Sequence, residues 1–172
     1  MGLISYLALP MFHVVDDNLI GAKNTAKIIK LFNEQALVFT SAVTYLDYVR
    51  SNGYRKPAAI FTDVLMHHMD GYELMQEILA IHPDQKFVVM SGRPNIDHPS
   101  KNRACFYLSK PFYIRDVEKI IDKIDRCRTE GPSPEIGCAD DCDRTEFCLN
   151  DWRCPQLETL QAHGRQNTTG KE

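Results

Sequence analysis

The residues best equipped for chemistry are three aspartates, a lysine and a serine, each standing directly after a short apolar run. Asp16-Asp17 follow Phe12-His13-Val14-Val15, Asp63 follows Ile60-Phe61-Thr62, Ser91 follows 87–90, and Lys110 follows 105–108 with one serine between. In an open α/β sheet, ligands bind in the crevice beyond the strand carboxyl ends, so these polar residues are placed for function rather than for core packing. Three carboxylates do not share a crevice unaided, because each pair about 4 Å apart repels by roughly 4 kcal/mol at an effective dielectric of 20. A hard divalent cation resolves this, and Mg²⁺ favours carboxylates, retained waters and a phosphate oxygen. With Lys110 the positive charge reaches three and balances the carboxylates. An aspartate held beside Mg²⁺, a lysine and a hydroxyl can attack a phosphoryl group and stabilise the charge of its transition state.

The elements needed to position these groups are legible in order. Residues 12–15, 37–39, 57–62, 87–90 and 105–108 read as strands; the near-continuous apolar run at 57–62 suits a parallel strand buried on both faces. Between them lie helical patterns. One carries Ala22, Ala26, Ile29 and Phe32 on one face with Lys23, Lys27 and Lys30 outside. A second starts at an N-cap, Ser41, carries Val43, Leu46 and Val49, and closes at Asn52-Gly53. A third starts at Asp70, carries Leu74, Met75, Ile78 and Leu79, and stops at His82-Pro83, since a residue before proline avoids the helical region. The last carries Val117, Ile120, Ile121 and Ile124 as a single core stripe. This alternation predicts an α/β fold of the flavodoxin-like type, a five-stranded parallel sheet in the order 2-1-3-4-5 with helices on both faces. In that order strands one and three are neighbours, which brings Asp16, Asp17 and Asp63 together.

Composition bounds the rest. A chain of 172 residues with 44% hydrophobic content buries one ordinary core and carries a small appendage. The longest apolar candidate near the start, 3–9, is too short for a membrane helix and lacks the flanking basic residues of a secretory signal, so a cytoplasmic protein without membrane association is expected. Residues 1–10 read as an N-terminal extension, with Met1 and Met11 both candidate starts. Of the net charge of −3, residues 128–172 hold nine acidic and five basic side chains, or −4, which leaves +1 for the remainder. Direct DNA binding is not expected of a chain with an acidic tail.

Residues 11–127 resemble the receiver domains of two-component response regulators. The run Asp63-x-x-Met66-x-x-Met69-Asp70-Gly71 is similar to the family's D-x-x-M-P-x-M-D-G, and Lys110-Pro111-Phe112 to its K-P-F signature. The resemblance implies that Asp63 accepts a phosphoryl group from a histidine kinase or phosphotransfer protein. It implies that Asp16, Asp17, Asp63 and the backbone carbonyl of Leu65 hold Mg²⁺, and that Ser91 and Lys110 bind the phosphoryl oxygens. Tyr107 takes the aromatic switch position, and the bond before Pro111 is cis. A signalling domain rather than an enzyme follows, acting on a protein output partner that the sequence does not name. Two departures stand out. His67 occupies the position where the family usually has proline, and Pro94 and Pro99 fall among the 18 residues between Ser91 and Lys110, so no regular helix is expected there. By residue type, His13, His67 and His68 read as loop or surface residues rather than ligands, because Mg²⁺ prefers oxygen.

The segment 128–172 differs in kind. Gly131-Pro132-Ser133-Pro134 reads as a linker into a small, irregular Cys-rich tail, where Cys138, Cys142, Cys148 and Cys154 follow a C-x3-C-x5-C-x5-C spacing. In a reducing compartment this suggests Zn²⁺ or an Fe–S cluster, redox disulfides, or thiols without a joint role. Two alternative functions follow: a receiver-like module whose tail senses metal or redox state, and an aspartate-nucleophile phosphohydrolase. The latter type wants a second aspartate at position 65, where this chain has Leu65.

Overall fold

The computed structural model describes residues 11–93, 98 and 103–129. The N-terminal extension, Pro94, Pro99, the linker and the four tail cysteines lie outside the described residues.

Five short strands, β1 (Met11–Val15), β2 (Gln35–Phe39), β3 (Ala59–Asp63), β4 (Phe87–Ser91) and β5 (Phe106–Ser109), form one parallel sheet in the order β2-β1-β3-β4-β5. The strand predicted at 57–62 begins at Ala59 and runs on to Asp63. Helices α1 (Leu19–Lys30), α2 (Ala42–Val49), α3 (Gly71–Ile81) and α4 (Ile114–Thr129) complete the element order. Parallel crossovers share one hand. The step from β1 to β2 runs opposite to the steps from β2 to β3 and β3 to β4, so α1 lies on one face and α2 and α3 on the other. Among the described residues no α-helix stands between β4 and β5.

The sheet is buried on both faces, and successive residues divide between two cores. Phe12, Val14, Phe61, Val88 and Met90 point to the α1/α4 side and pack on Ala22, Ala26, Ile29 and the Val117, Ile120, Ile121, Ile124 stripe. Val15, Ile60, Phe87 and Val89 point to the α2/α3 side and pack on Tyr45, Leu46, Leu74, Met75 and Ile78. On α2 the buried face is Ala42, Tyr45, Leu46 and Val49, whereas Val43 faces solvent. The spacing 42, 45, 46, 49 closes on one side at 100° per residue, and Val43 falls a step outside it.

The caps are local. The Ser41 side chain accepts from Thr44 N–H, and Asn18 caps α1 by accepting from Ile20 and Gly21 N–H. Asp70 starts α3 with a reciprocal capping box, its carboxylate taking Glu73 N–H while the Glu73 side chain takes Asp70 N–H. Each such cap contributes about 1 kcal/mol.

His13 departs from the expectation of a surface residue. It lies on the central strand and is fully buried, with Nδ1 2.8 Å from the Tyr45 hydroxyl. Phe39, Tyr45, Tyr48 and Tyr54 surround its ring at centroid distances of 5.7, 5.6, 5.9 and 6.3 Å. The alternation of the strand decides this, since a residue between Phe12 and Val14 must face the opposite core. Among the described residues its Nε2 has no partner, and burial lowers the imidazole pKa from 6.5 to about 4.

A pH dependence follows. Between about pH 6.5 and 4 the unfolded chain binds a proton at His13 that the folded protein refuses, so this histidine's share of stability is complete above pH 6.5 and is lost as pH falls through 4. The loss amounts to about 3 kcal/mol. Denaturant titrations of wild type and His13→Phe across this range should show the stability gap moving in favour of the variant as pH falls; parallel curves would refute the assignment.

Candidate functional site

The ladder of sheet hydrogen bonds places Asp63 and Ser91 at the ends of their strands and carries Asp16 and Lys110 one step past theirs. Asp16 N–H donates to the Phe39 carbonyl at 3.1 Å, Val64 N–H to the Met90 carbonyl at 3.0 Å, and Lys110 N–H to the Ser91 carbonyl at 2.8 Å. With Asp63 in register with Met90 and Ser91 with Ser109, the four groups come to one end of the sheet. The resulting order explains why residues far apart in sequence converge there.

Lys110 sits between two carboxylates, its Nζ 2.7 Å from Asp16 Oδ2 and 2.5 Å from Asp63 Oδ1. Asp16 is 1% exposed, and its other oxygen accepts Asn18 N–H at 2.9 Å, so both of its oxygens are satisfied. Ligand oxygens of Asp16, Asp17 and Asp63 all lie within 4.8 Å of one another. Burial pushes the Asp63 carboxyl above its ordinary pKa; the Lys110 ammonium pulls it back only in part, and Asp16 adds to the rise. Burial alone would lower Lys110, yet hydrogen bonds and charge from Asp16 and Asp63 outweigh it and hold the ammonium above the usual lysine value. For Asp17 the rise from burial is overcome by the hydrogen bonds and charge of His67, and the carboxyl lies below its ordinary range. One lysine therefore balances part of a three-carboxylate cluster. The hard, oxygen-only donor set fits a divalent cation of the Mg²⁺ kind.

Glycine and methionine shape the loop that follows Asp63. A Cβ on Gly71 would stand 2.1 Å from the Asp63 carbonyl oxygen, so only glycine lets α3 begin against the backbone of β3. Gly71 N–H in turn donates to the Val64 carbonyl at 3.0 Å. Met66 and Met69 pack inward on the α2/α3 core, while Leu65, His67 and His68 face outward. The Met-x-x-Met spacing thus pins the loop at two points. His68 has φ 68°, in the left-handed region that non-glycine residues seldom enter.

The remaining predicted residues lie around this centre. The Ser91 hydroxyl donates to the Arg93 carbonyl at 2.9 Å and accepts Arg93 N–H at 3.0 Å, a local turn that ties it to its own segment. Tyr107 on β5, in register with Val89 on β4, is 42% exposed. The Lys110–Pro111 bond is cis. A groove of about 660 Å³ between α1 and the β5–α4 connection opens beside Asp16 and Lys110 and is walled by Gly21, Pro111 and Phe112. Three contributions escaped sequence reasoning. Asn18 carried a signal as a capping residue before an apolar run, and Gly71, quoted only as the end of the Asp63-to-Gly71 run, carried none of its close approach to the Asp63 carbonyl. Nothing local marked His67 as a partner of Asp17, 50 residues away.

Comparison with known proteins agrees with this geometry. The family model for the response regulator receiver domain matches residues 12–123. The response regulator receiver protein CpdR of Brucella abortus is 37% identical over 71 residues, covering 38% of this chain and 57% of that protein. The transcriptional regulatory protein YesN of Bacillus subtilis is 32% identical over 80 residues, 42% of this chain but 22% of its own length. The two-component response regulator ARR5 of Arabidopsis thaliana is 28% identical over 137 residues, 70% of this chain and 74% of that one. Among solved structures, a CheY-like receiver domain protein from Methanospirillum hungatei is 25% identical with a TM-score of 0.63, covering 72% of this chain and all of that one (100%). With the family model matching 112 consecutive residues (12–123) of a chain of 172, the chain belongs to the response regulator receiver domains of two-component systems.

Proposed function

We propose that this receiver works as a phosphorylation-controlled switch, with Asp63 accepting a phosphoryl group from the phosphohistidine of a histidine kinase or phosphotransfer protein. The observation that carries this is the convergence of Asp16, Asp17 and Asp63 around Lys110. An Asp63 carboxylate oxygen forms the new P–O bond as the P–N bond to the donor imidazole breaks; the ring keeps the electron pair and takes a proton from solvent. Lys110 is placed to neutralise the phosphorylated aspartate, because its ammonium already contacts Asp63 Oδ1. Asp16, Asp17, Asp63 and the carbonyl of Leu65 would hold Mg²⁺, which when bound offsets charge on the phosphoryl oxygens. With Mg²⁺ and acetyl phosphate the protein should gain one hydroxylamine-labile phosphoryl group per chain. Asp63→Asn should gain none, and Asp17→Ala should need far more Mg²⁺, on the order of tenfold or above. Undiminished labelling of Asp63→Asn would remove the assignment.

The output follows from Ser91 and Tyr107. Their geometry supports an unswitched resting form, with the Ser91 hydroxyl held by Arg93 and the Tyr107 ring exposed. Phosphorylation at Asp63 would draw the hydroxyl off Arg93 to a phosphoryl oxygen, and Tyr107 would turn inward, changing the surface offered to a protein partner. A structure with beryllofluoride on Asp63 should show both movements; one in which Ser91 still bonds Arg93 and Tyr107 stays outward would reject the switch.

The tail supplies a second, separate reading. Cys138, Cys142, Cys148 and Cys154 are four thiols in a segment poor in aliphatic residues, and four thiolates make a closed site for Zn²⁺. Protein purified under reducing conditions should hold about one metal ion per chain by elemental analysis. Four freely reactive tail thiols in a metal-free preparation would leave the tail without this role. The cytoplasmic, membrane-free setting and the absence of direct DNA binding belong to the same proposal.

A further inference from the structure

His67 is an outward residue of the loop after Asp63 whose side chain turns back onto the site. Its backbone N–H donates to Asp17 Oδ2 at 3.1 Å, and its ring Nδ1 lies 2.5 Å from the same oxygen. A carboxylate only accepts, so Nδ1 must carry the hydrogen, and both donors of one residue converge on a single oxygen of Asp17. Proline at this position would supply neither. The backbone holds His67 there by a three-residue turn: Met69 N–H donates to the His67 carbonyl at 2.8 Å, with His68 at φ 68° between them. Such γ-type turns with a left-handed centre are rare, and this one is kept in place by Met66 and Met69 packing inward on either side. The His67 side chain is otherwise 89% exposed, so it contributes nothing to the core.

Two donors on Oδ2 have a consequence for the cation. They hold one oxygen of the Asp17 carboxylate, whose side chain is 24% exposed, and so restrict its rotation beside Asp16 and Asp63. We propose that His67 is a positioning residue for the cation site, acting through Asp17 by hydrogen bonds from both its backbone and its ring. This rests on the reading of Asp16, Asp17 and Asp63 as a Mg²⁺ site. It deepens that reading by making cation affinity depend on a residue outside the ligand set, in the manner of outer partners that orient metal-binding groups.

Mg²⁺ titrations by calorimetry on the full chain test it, with thermal melting in EDTA as a control for folding. The wild type should bind, and Asp17→Ala should lose binding. His67→Ala should bind about tenfold more weakly with an unchanged melting temperature in EDTA. His67→Asn, whose side-chain amide can donate from the Nδ1 position, should recover most of that loss. His67→Pro, which also removes the backbone donor, should bind no more tightly than His67→Ala. Equal or tighter binding by His67→Ala overturns the role of His67 while leaving the carboxylate site intact. Equal weakening of Asn and Ala variants overturns it too, because the ring's N–H would not be the cause. No Mg²⁺ binding by the wild type, or undiminished binding by Asp17→Ala, overturns the site and this role together.

Discussion

The Lys110 ammonium between Asp16 and Asp63 is the interaction on which the rest of the arrangement depends. Two carboxylates that are almost wholly removed from water face each other at the carboxyl ends of adjacent strands, and a third stands beside them. Without a cation among them, mutual repulsion and lost hydration would open that end of the sheet. A lysine from the fifth strand's end supplies part of the compensation at 2.7 and 2.5 Å. The remainder of the negative charge is what the proposed divalent ion would offset.

That interaction exists only because of the order in which the strands pair. Lys110 and Asp16 are 94 residues apart, and the contact forms because β1 and β3 are neighbours at the point where the order reverses, with β4 and β5 stacked beyond. The packing that enforces this order is apolar and two-sided. Each strand divides its side chains between the α1/α4 and α2/α3 cores, and a slip of one residue in any strand would send Phe12, Phe61 or Met90 to the wrong face. The functional end and the core are therefore one problem: register fixed by burial delivers the carboxylates to the same height.

The loop from Val64 to Asp70 shows how little local material is needed once that frame is set. Two methionines hold it down, a capping box starts the next helix, and Gly71 lets that helix approach the Asp63 carbonyl more closely than any side chain would allow. Of the outward residues Leu65, His67 and His68, it is His67 whose ring reaches Asp17. The buried counterpart is His13, whose ring is enclosed by aromatic groups on the opposite side of the central strand from Phe12 and Val14. Two histidines of the same chain thus end in opposite surroundings, one as a neutral core residue and one as a solvent-facing partner of a carboxylate.

The amino-acid sequence by itself determined the alternation of strands and helices, the parallel sheet, the caps Ser41 and Asp70, and the polar residues that stand at strand ends. These are written in signals only a few residues long: apolar runs, helical stripes, a cap followed by its period, a proline that ends a helix. It also determined the family, because the spacing from Asp63 to Gly71 and the Lys110-Pro111-Phe112 run are local patterns. Tertiary structure alone decided that His13 is buried against Tyr45, that Val43 faces solvent, that Ser91 is tied to Arg93, and that Asp17 meets His67. Each of these depends on which face a residue shows once neighbours 30 to 50 positions away are in place, or on a choice among hydrogen-bond partners that many loops would offer equally. Periodicity states that a residue has a face; only packing states what that face meets.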